Sequence, residues 1–206
     1  MRVAILGGTG PFGRALAIRL REAAEDEVVV GSREAAKAEA VASELGVLGA
    51  QNEAAIAGAD LVVVACNADA AVATCEANAH AIRDVPVLSV ASELRFVKGV
   101  AHPSEDQRSL AERIADVLDA PVVAGLHSLA AGKLERGRPD EDTLVCGDDD
   151  AAKAIVLEVA GRIVAGRAID AGPLEVARAL EGLTAAIINV NKRYRAHAGV
   201  RVTGLS

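Results

Sequence analysis

The apolar positions of this chain fall into short runs, separated by glycine turns and by stretches rich in Ala, Glu and Lys. Val3-Ala4-Ile5-Leu6 predicts a strand over 2–6. The following segment, 11–24, predicts a helix in which Leu16, Ile18 and Leu20 can pack while Arg14, Arg19 and Arg21 face water. Glu27-Val28-Val29-Val30-Gly31 is a second strand, and Ser32 is placed to N-cap a helix over 33–44. Val47-Leu48-Gly49 reads as a short third strand, and Asn52 as the cap of a helix of one or two turns ending near Gly58. Residues 60–65 are apolar without alternation, the pattern of a parallel strand buried on both faces. A helix over 69–83, a strand over 86–90 and a loop to Pro103 follow. Ser104-Glu105-Asp106-Gln107 reads as a capping box opening a helix to Leu118, ahead of a strand over 121–124. Strand and helix alternating at this spacing imply a doubly wound, mostly parallel α/β sheet with right-handed crossovers.

The first strand ends in Gly7-Gly8-Thr9-Gly10-Pro11-Phe12-Gly13. Gly8, Gly10 and Gly13 stand at the spacing of a dinucleotide fingerprint. The first glycine allows the tight turn, the second lets backbone approach a pyrophosphate, and the third lets helix pack on strand. Pro11 has no N–H, so Thr9 and Phe12 are left to supply the nearby donors. The end of the second strand selects the dinucleotide. An acid there would hold a ribose 2′-hydroxyl; this chain has Gly31-Ser32-Arg33, nineteen residues on from Gly13, and Lys37 one helical turn later. Ser32, Arg33 and Lys37 offer a hydroxyl and two cations to a 2′-phosphate, which favours NADP over NAD. The competing reading leaves Arg33 and Lys37 as solvated helix residues. By the same fold logic the nicotinamide end lies beyond the fourth strand, near Cys66 and Asn67.

After residue 124 the rhythm changes. The pattern predicts a helix from His127 to Arg136, a strand over 142–146, a helix from Gly147-Asp148-Asp149-Asp150, a strand over 167–170 and a long helix over 173–197 opened by Pro173. The three carboxylates at 148–150 suit a helix N-terminus; a metal site is the other reading. The chain divides into a Rossmann-type portion, 1–124, and a small α/β portion, 125–206, ending in the long helix. The two can also count as one compact unit.

Composition narrows the function. Phe12, Phe96 and Tyr194 are the only aromatic residues, so the core must be aliphatic, and their scarcity argues against a base-stacking platform. A net charge of −7 without a basic block argues against a nucleic-acid partner. No apolar stretch reaches the roughly 18 residues of a membrane span, and the glycine turn interrupts the first apolar run too early for a signal peptide. Cys66, Cys75 and Cys146 are scattered and odd in number, as expected of reduced thiols in a cytoplasmic protein, and the four histidines are too dispersed to hold a metal.

Several motifs together resemble a known family. They are the glycine turn, Val30-Gly31-Ser32-Arg33, Gly125-Leu126-His127, Cys146-Gly147-Asp148-Asp149, Leu183-Thr184 and the tail from Asn191 to Thr203, with its Arg193-Tyr194-Arg195-Ala196-His197-Ala198-Gly199. In order and along the whole chain, they are similar to the F420-dependent NADP reductases. The resemblance implies a homodimeric oxidoreductase that moves hydride reversibly between NADP(H) and the 5-deazaflavin coenzyme F420. It also implies roles: Thr9 and Phe12 at the pyrophosphate, Ser32, Arg33 and Lys37 at the 2′-phosphate, and His127 beside the deazaflavin, with Arg178 and Thr184 facing the same pocket. Two places depart from the family pattern. Asn67-Ala68 replaces a segment that often holds proline, and Ser89-Val90-Ala91 replaces Asn-Pro-Leu or Ser-Pro-Leu.

Two other functions share the early features. A reductase of a small imine or keto acid would need a proton donor facing nicotinamide, and His127 and Lys133 are the candidates. A non-catalytic NADP-binding redox sensor would have its cleft closed to a second substrate, a reading that the absent prolines leave open.

Overall fold

The computed structural model describes residues 1–23 and 26–205, so Ala24, the expected last residue of the first helix, lies outside the described residues. The chain runs β1 (Arg2–Leu6), α1 (Pro11–Ala23), β2 (Glu27–Ser32), α2 (Ala35–Leu45), β3 (Leu48–Gln51), α3 (Asn52–Ile56), β4 (Leu61–Val64), α4 (Ala68–Ile82) and β5 (Val87–Ser89). It continues through β6 (Leu94–Val97), β7 (Val100–Pro103), α5 (Leu110–Ala115), β8 (Val122–Gly125), α6 (Ala131–Arg136), β9 (Thr143–Gly147), α7 (Asp150–Ile163) and β10 (Ala168–Asp170). A 3-10 turn (Leu174–Val176) then leads into α8 (Ala177–Tyr194).

Eight strands form one sheet in the order β10-β9-β8-β5-β4-β1-β2-β3. Every pairing in it is parallel except β8 with β9. The sheet therefore runs without a break through both the 1–124 and the 125–206 portions. Apart from polar residues at their ends (Arg2, Glu27, Ser32, Ser89), its central strands are apolar without alternation, yet the two-residue period still sorts them. Val3, Ile5, Val28, Val30 and Val63 pack with α1, α2, α6 and α7 on one face. Ala4, Leu6, Val29, Val62 and Val64 pack with α3, α4, α5 and α8 on the other. The largest fully buried side chains are all Leu and Ile, as an aromatic-poor sequence requires.

Several sequence expectations need correction. The helix expected from His127 starts only at Ala131, and His127 itself lies in a turn after β8. The segment read as a loop before Pro103 holds an antiparallel hairpin, β6–β7, pinned to α8 by the Asn189 amide, which bonds both the N–H and the carbonyl of Ala101. The capping box belongs to Ser109 and Glu112, not to Ser104, so α5 starts at Leu110. Ser104 instead donates to Glu93 across the base of the hairpin (2.6 Å). Ser32 does not cap α2: β2 extends to Ser32, which pairs with Gln51, and its hydroxyl accepts from the Glu34 N–H in a tight turn. Asn52 is the first residue of α3 rather than its cap.

At 148–150 the carboxylates serve the backbone. Asp149 caps α7 by accepting from the Ala152 N–H (2.8 Å), and Asp148 accepts from the Leu174 N–H (2.9 Å). No group of residues among those described could hold a metal ion. The long helix ends at Tyr194 rather than at 197. The tail beyond it returns to the sheet edge, where buried Asp142 binds the Arg167 guanidinium and the Val202 N–H.

Candidate active site

The site lies at the carboxyl ends of the parallel strands, where β1 and β4 diverge toward helices on opposite faces. Its floor is the turn between β1 and α1. Gly7 sits at φ +78°, and a side chain there would strike the Ala65 and Cys66 backbone. A Cβ on Gly13 would stand 2.6 Å from the Gly8 Cα, so this glycine lets α1 lie against the turn. Gly10 differs: a Cβ there would meet only the Gly7 carbonyl, at 3.3 Å, because its other side is open cleft. The Gly10 N–H is spent on Gly7 (2.9 Å), and Pro11 has none. The Phe12 N–H, in the first turn of α1, has no helical acceptor and is free for an anion.

Two cavities open above this turn. The first, of about 250 Å³, is lined by Gly7, Thr9 and Gly10, by Ser32 at the end of β2, Arg33 and Glu34 just after it and Lys37 in the first turn of α2, and by Asn52, Cys66 and Asn67. Thus Ser32, Arg33 and Lys37 do converge on one cavity. The charge of Arg33 reaches Cys66, where with a hydrogen bond from Thr74 it partly offsets the burial that raises the thiol's pKa. Cys66 remains a neutral thiol. Asn52, whose position in the sequence suggests only a helix cap, also lines this cavity. It is 6 % exposed, and its Oδ1 is buried here without a partner. Such an acceptor is waiting for a donor. The pairing of Ser32 with Gln51 is what carries Asn52 to the end of β2.

The second cavity, of about 260 Å³, is lined by Pro11, Phe12, Ala68, Val90, Ala91 and Ser92. It shares Gly10, Ala65, Cys66 and Asn67 with the first, so the two form one continuous cleft. Beneath Ser92 lies Thr184 of α8. Its hydroxyl donates to the His127 carbonyl (2.9 Å) and stands 3.0 Å from the Ser92 hydroxyl. His127 follows Leu126, a fully buried residue held at φ +65°, a costly conformation for a non-glycine residue. The imidazole is buried, and neither nitrogen has a hydrogen-bonding partner. Burial pushes its pKa down to about 4, with partial relief from the Ala91 backbone, which lies near the ring but outside bonding geometry. At neutral pH His127 is therefore uncharged and can donate from one nitrogen only.

His127, Thr184 and Arg178, all expected to face the deazaflavin pocket, line neither cavity; His127 and Thr184 lie beneath Ser92, whereas Arg178 is engaged elsewhere. Its guanidinium donates to the carbonyls of Ser104 (2.7 Å) and Asp106 (3.0 Å) and ties α8 to the segment after the hairpin. Lys133 is engaged in an ion pair with buried Glu141. Neither supplies a free cation to the cleft.

One turn before Thr184, Glu181 is buried and accepts from the Leu110 N–H (2.7 Å). Burial raises its pKa from the ordinary 4.5 to about 7, against backbone donors and Arg178, which lower it. Between these values the folded chain keeps a proton that the unfolded chain has released. Stability therefore falls as pH rises from about 4.5 to 7 and is level above that. Glu181→Gln is expected to abolish this slope and to raise Tm at pH 8 by about 4–8 °C, on the order of 2 kcal/mol. Thermal melts of both proteins from pH 5 to 8 check it.

Known proteins share this chain's sequence and fold along its length. The family model described as NADP oxidoreductase, coenzyme F420-dependent, matches residues 2–93. The F420-dependent NADP reductase of Methanocaldococcus jannaschii is 32% identical over 100% of this chain and 99% of its own length. That of Methanothermobacter thermautotrophicus is 35% identical over 100% of this chain and 96% of its own. A solved structure from Arthrobacter sp. FB24, assigned as an F420-dependent NADP-reductase, superposes with a TM-score of 0.87 at 28% identity, covering 99% of this chain and 100% of that one. The pyrroline-5-carboxylate reductase of Coxiella burnetii shares the fold alone, with a TM-score of 0.66 at 18% identity over 94% of this chain and 68% of its own. A glycine turn open at Gly10, a hydroxyl and two cations at the end of β2, and relatives matched along their full lengths lead to one family: the chain belongs to the F420-dependent NADP reductases.

Proposed function

We propose that this protein is an oxidoreductase that transfers hydride reversibly between NADP(H) and coenzyme F420. The observation that carries the reading is the single cleft, with Ser32, Arg33 and Lys37 at one end and Ser92, hydrogen-bonded to Thr184 beneath it, at the other. Both substrates bring their own reactive carbons, C4 of the nicotinamide and C5 of the deazaflavin, so no side chain need act as acid or base.

The protein's work is binding, orientation and exclusion of water. Ser32, Arg33 and Lys37 hold the 2′-phosphate, and Thr9, Gly10 and Phe12 admit the pyrophosphate between Gly8 and Gly13. Cys66 and Asn67 flank the passage between the cavities. On the deazaflavin side, neutral His127 offers one hydrogen bond and Thr184 fixes the segment that carries it. Arg178 acts through the loop it holds. The 125–206 portion completes the pocket for the second substrate.

The active unit is proposed to be a homodimer. Phe96 and Val97 of β6, Val100 of β7, and Val190 and Tyr194 of α8 are exposed apolar side chains on elements packed together. A second copy covering them gives twice the 21.0 kDa chain mass by light scattering; a monomer at micromolar concentration rejects the dimer. Among the described residues no helix is long and apolar enough to cross a membrane. We place the enzyme in the cytoplasm, where Cys66, Cys75 and Cys146 stay reduced.

The test is spectroscopic: NADPH is expected to bleach the visible band of oxidised F420, NADH to do so poorly. Intact protein that binds NADPH yet bleaches nothing rejects the proposed reaction.

A further inference from the structure

Proton accounting assigns a role to Ser92, which no motif marks. Thr184 Oγ1 has one proton and sits 2.9 Å from the His127 carbonyl, which can only accept. The Leu180 carbonyl, a second acceptor, stands farther off at 3.5 Å. The proton must go to a backbone carbonyl, and to the nearer His127 oxygen first; otherwise two oxygens would face each other with none between them. Ser92 Oγ, 3.0 Å from Thr184 Oγ1, must then be the donor of that pair. The order Ser92 to Thr184 to His127 carbonyl is fixed by its acceptor-only end. Ser92, which lines the second cavity, is left with its proton committed and only lone pairs toward the cleft. The other polar side chains lining that cavity are Cys66, a neutral thiol and weak acceptor, and Asn67, which is exposed.

We propose that the Ser92 hydroxyl accepts a hydrogen bond from the carboxamide N–H₂ of the nicotinamide and so sets the rotation of that ring in the cleft. This rests on NADP lying across both cavities, with its 2′-phosphate at Arg33. A hydroxyl able to turn could serve a donor or an acceptor. One locked by Thr184 reads a donor only, and rejects a group that presents an acceptor in its place.

The test compares equilibrium binding of NADP⁺ with that of its 3-acetylpyridine analogue, in which a methyl replaces the carboxamide N–H₂. Calorimetry is run on the wild type, Ser92→Ala and Thr184→Val. The wild type is expected to bind NADP⁺ about tenfold more tightly than the analogue, the worth of one buried hydrogen bond. Ser92→Ala weakens NADP⁺ about tenfold, leaves the analogue unchanged and brings the ratio close to one. Thr184→Val removes no ligand contact but frees the Ser92 proton, and the ratio falls about threefold or more. Adenosine 2′,5′-bisphosphate, which reaches only the first cavity, binds all three proteins alike and reports that they are folded. Equal weakening of NADP⁺ and the analogue by Ser92→Ala overturns the proposal, as does a ratio that no variant moves. It is also overturned if Ser92→Ala weakens F420 while leaving the NADP⁺ ratio intact, since the hydroxyl would then serve the deazaflavin. Failure of the bisphosphate to bind the wild type rejects the placement of NADP itself, a different outcome from loss of discrimination alone.

Discussion

Arg33→Ala is expected to raise the KM for NADPH about 30-fold and to leave that for NADH within about twofold. One guanidinium contact to a dianionic phosphate is worth about 1.5–3 kcal/mol, or roughly 10- to 100-fold. NADH has no phosphate there to lose. Arg33 and Lys37 are exposed, so salt screens them, and the KM for NADPH should climb with ionic strength while that for NADH holds. Arg33→Lys restores the charge but not the paired geometry, and only part of the affinity returns. Steady-state kinetics with both nucleotides at two salt concentrations decide it. Equal losses for NADPH and NADH would mean that Arg33 supports the turn rather than reading the phosphate.

The second large effect separates two glycines of one motif. Gly10→Ala meets a single neighbour at 3.3 Å, so the chain should fold with Tm within about 3 °C of the wild type. The added methyl, however, stands where the pyrophosphate must approach the backbone. NADP⁺ affinity should fall on the order of 100-fold, as its contacts to the helix start are lost. Gly13→Ala drives a methyl to 2.6 Å from the Gly8 Cα and 2.8 Å from the Gly7 carbonyl, both backbone. That forces α1 off the turn and costs about 2–3 kcal/mol, roughly 5–10 °C in Tm. Calorimetry and thermal melts on the pair read the two effects separately. Unchanged affinity in Gly10→Ala would remove the pyrophosphate from this turn.

The first half of the site was legible because its chemistry is local. Within β1 and α1 the glycine spacing dictates both the turn and its open face, and Ser32, Arg33 and Lys37 are near neighbours in sequence. The strands were equally legible, since the runs Val3–Leu6, Val28–Val30 and Leu61–Val64 are apolar without alternation and fill the centre of the sheet. The second half depends on contacts between distant residues. Thr184 meets His127 across 57 positions and Ser92 across 92, and no spacing rule joins them.

Asn189 meets Ala101 across 88 positions, and without that link β6 and β7 read as loop, because Phe96, Val97 and Val100 are exposed rather than patterned for a core. The capping box was displaced for a similar reason. Ser104 has the right residue type, but its hydroxyl is drawn to Glu93 at the base of the hairpin, while Ser109 stands directly before Leu110, Ala111 and Ile114, which α5 buries. Arg178 and Thr184 share α8 six residues apart, and only the structure separates a guanidinium holding a loop from a hydroxyl under the cleft.

Following the hydrogen itself decides whether this protein transfers hydride directly between the two coenzymes. Purified protein is mixed with oxidised F420 and, separately, each of the two NADPH epimers deuterated at C4, and the reduced deazaflavin is examined by mass spectrometry and NMR. The account predicts that one epimer delivers its deuterium to C5 in full and the other delivers none, because a single cleft presents one face of the nicotinamide. Bleaching without label at C5, or label from both epimers alike, would contradict it.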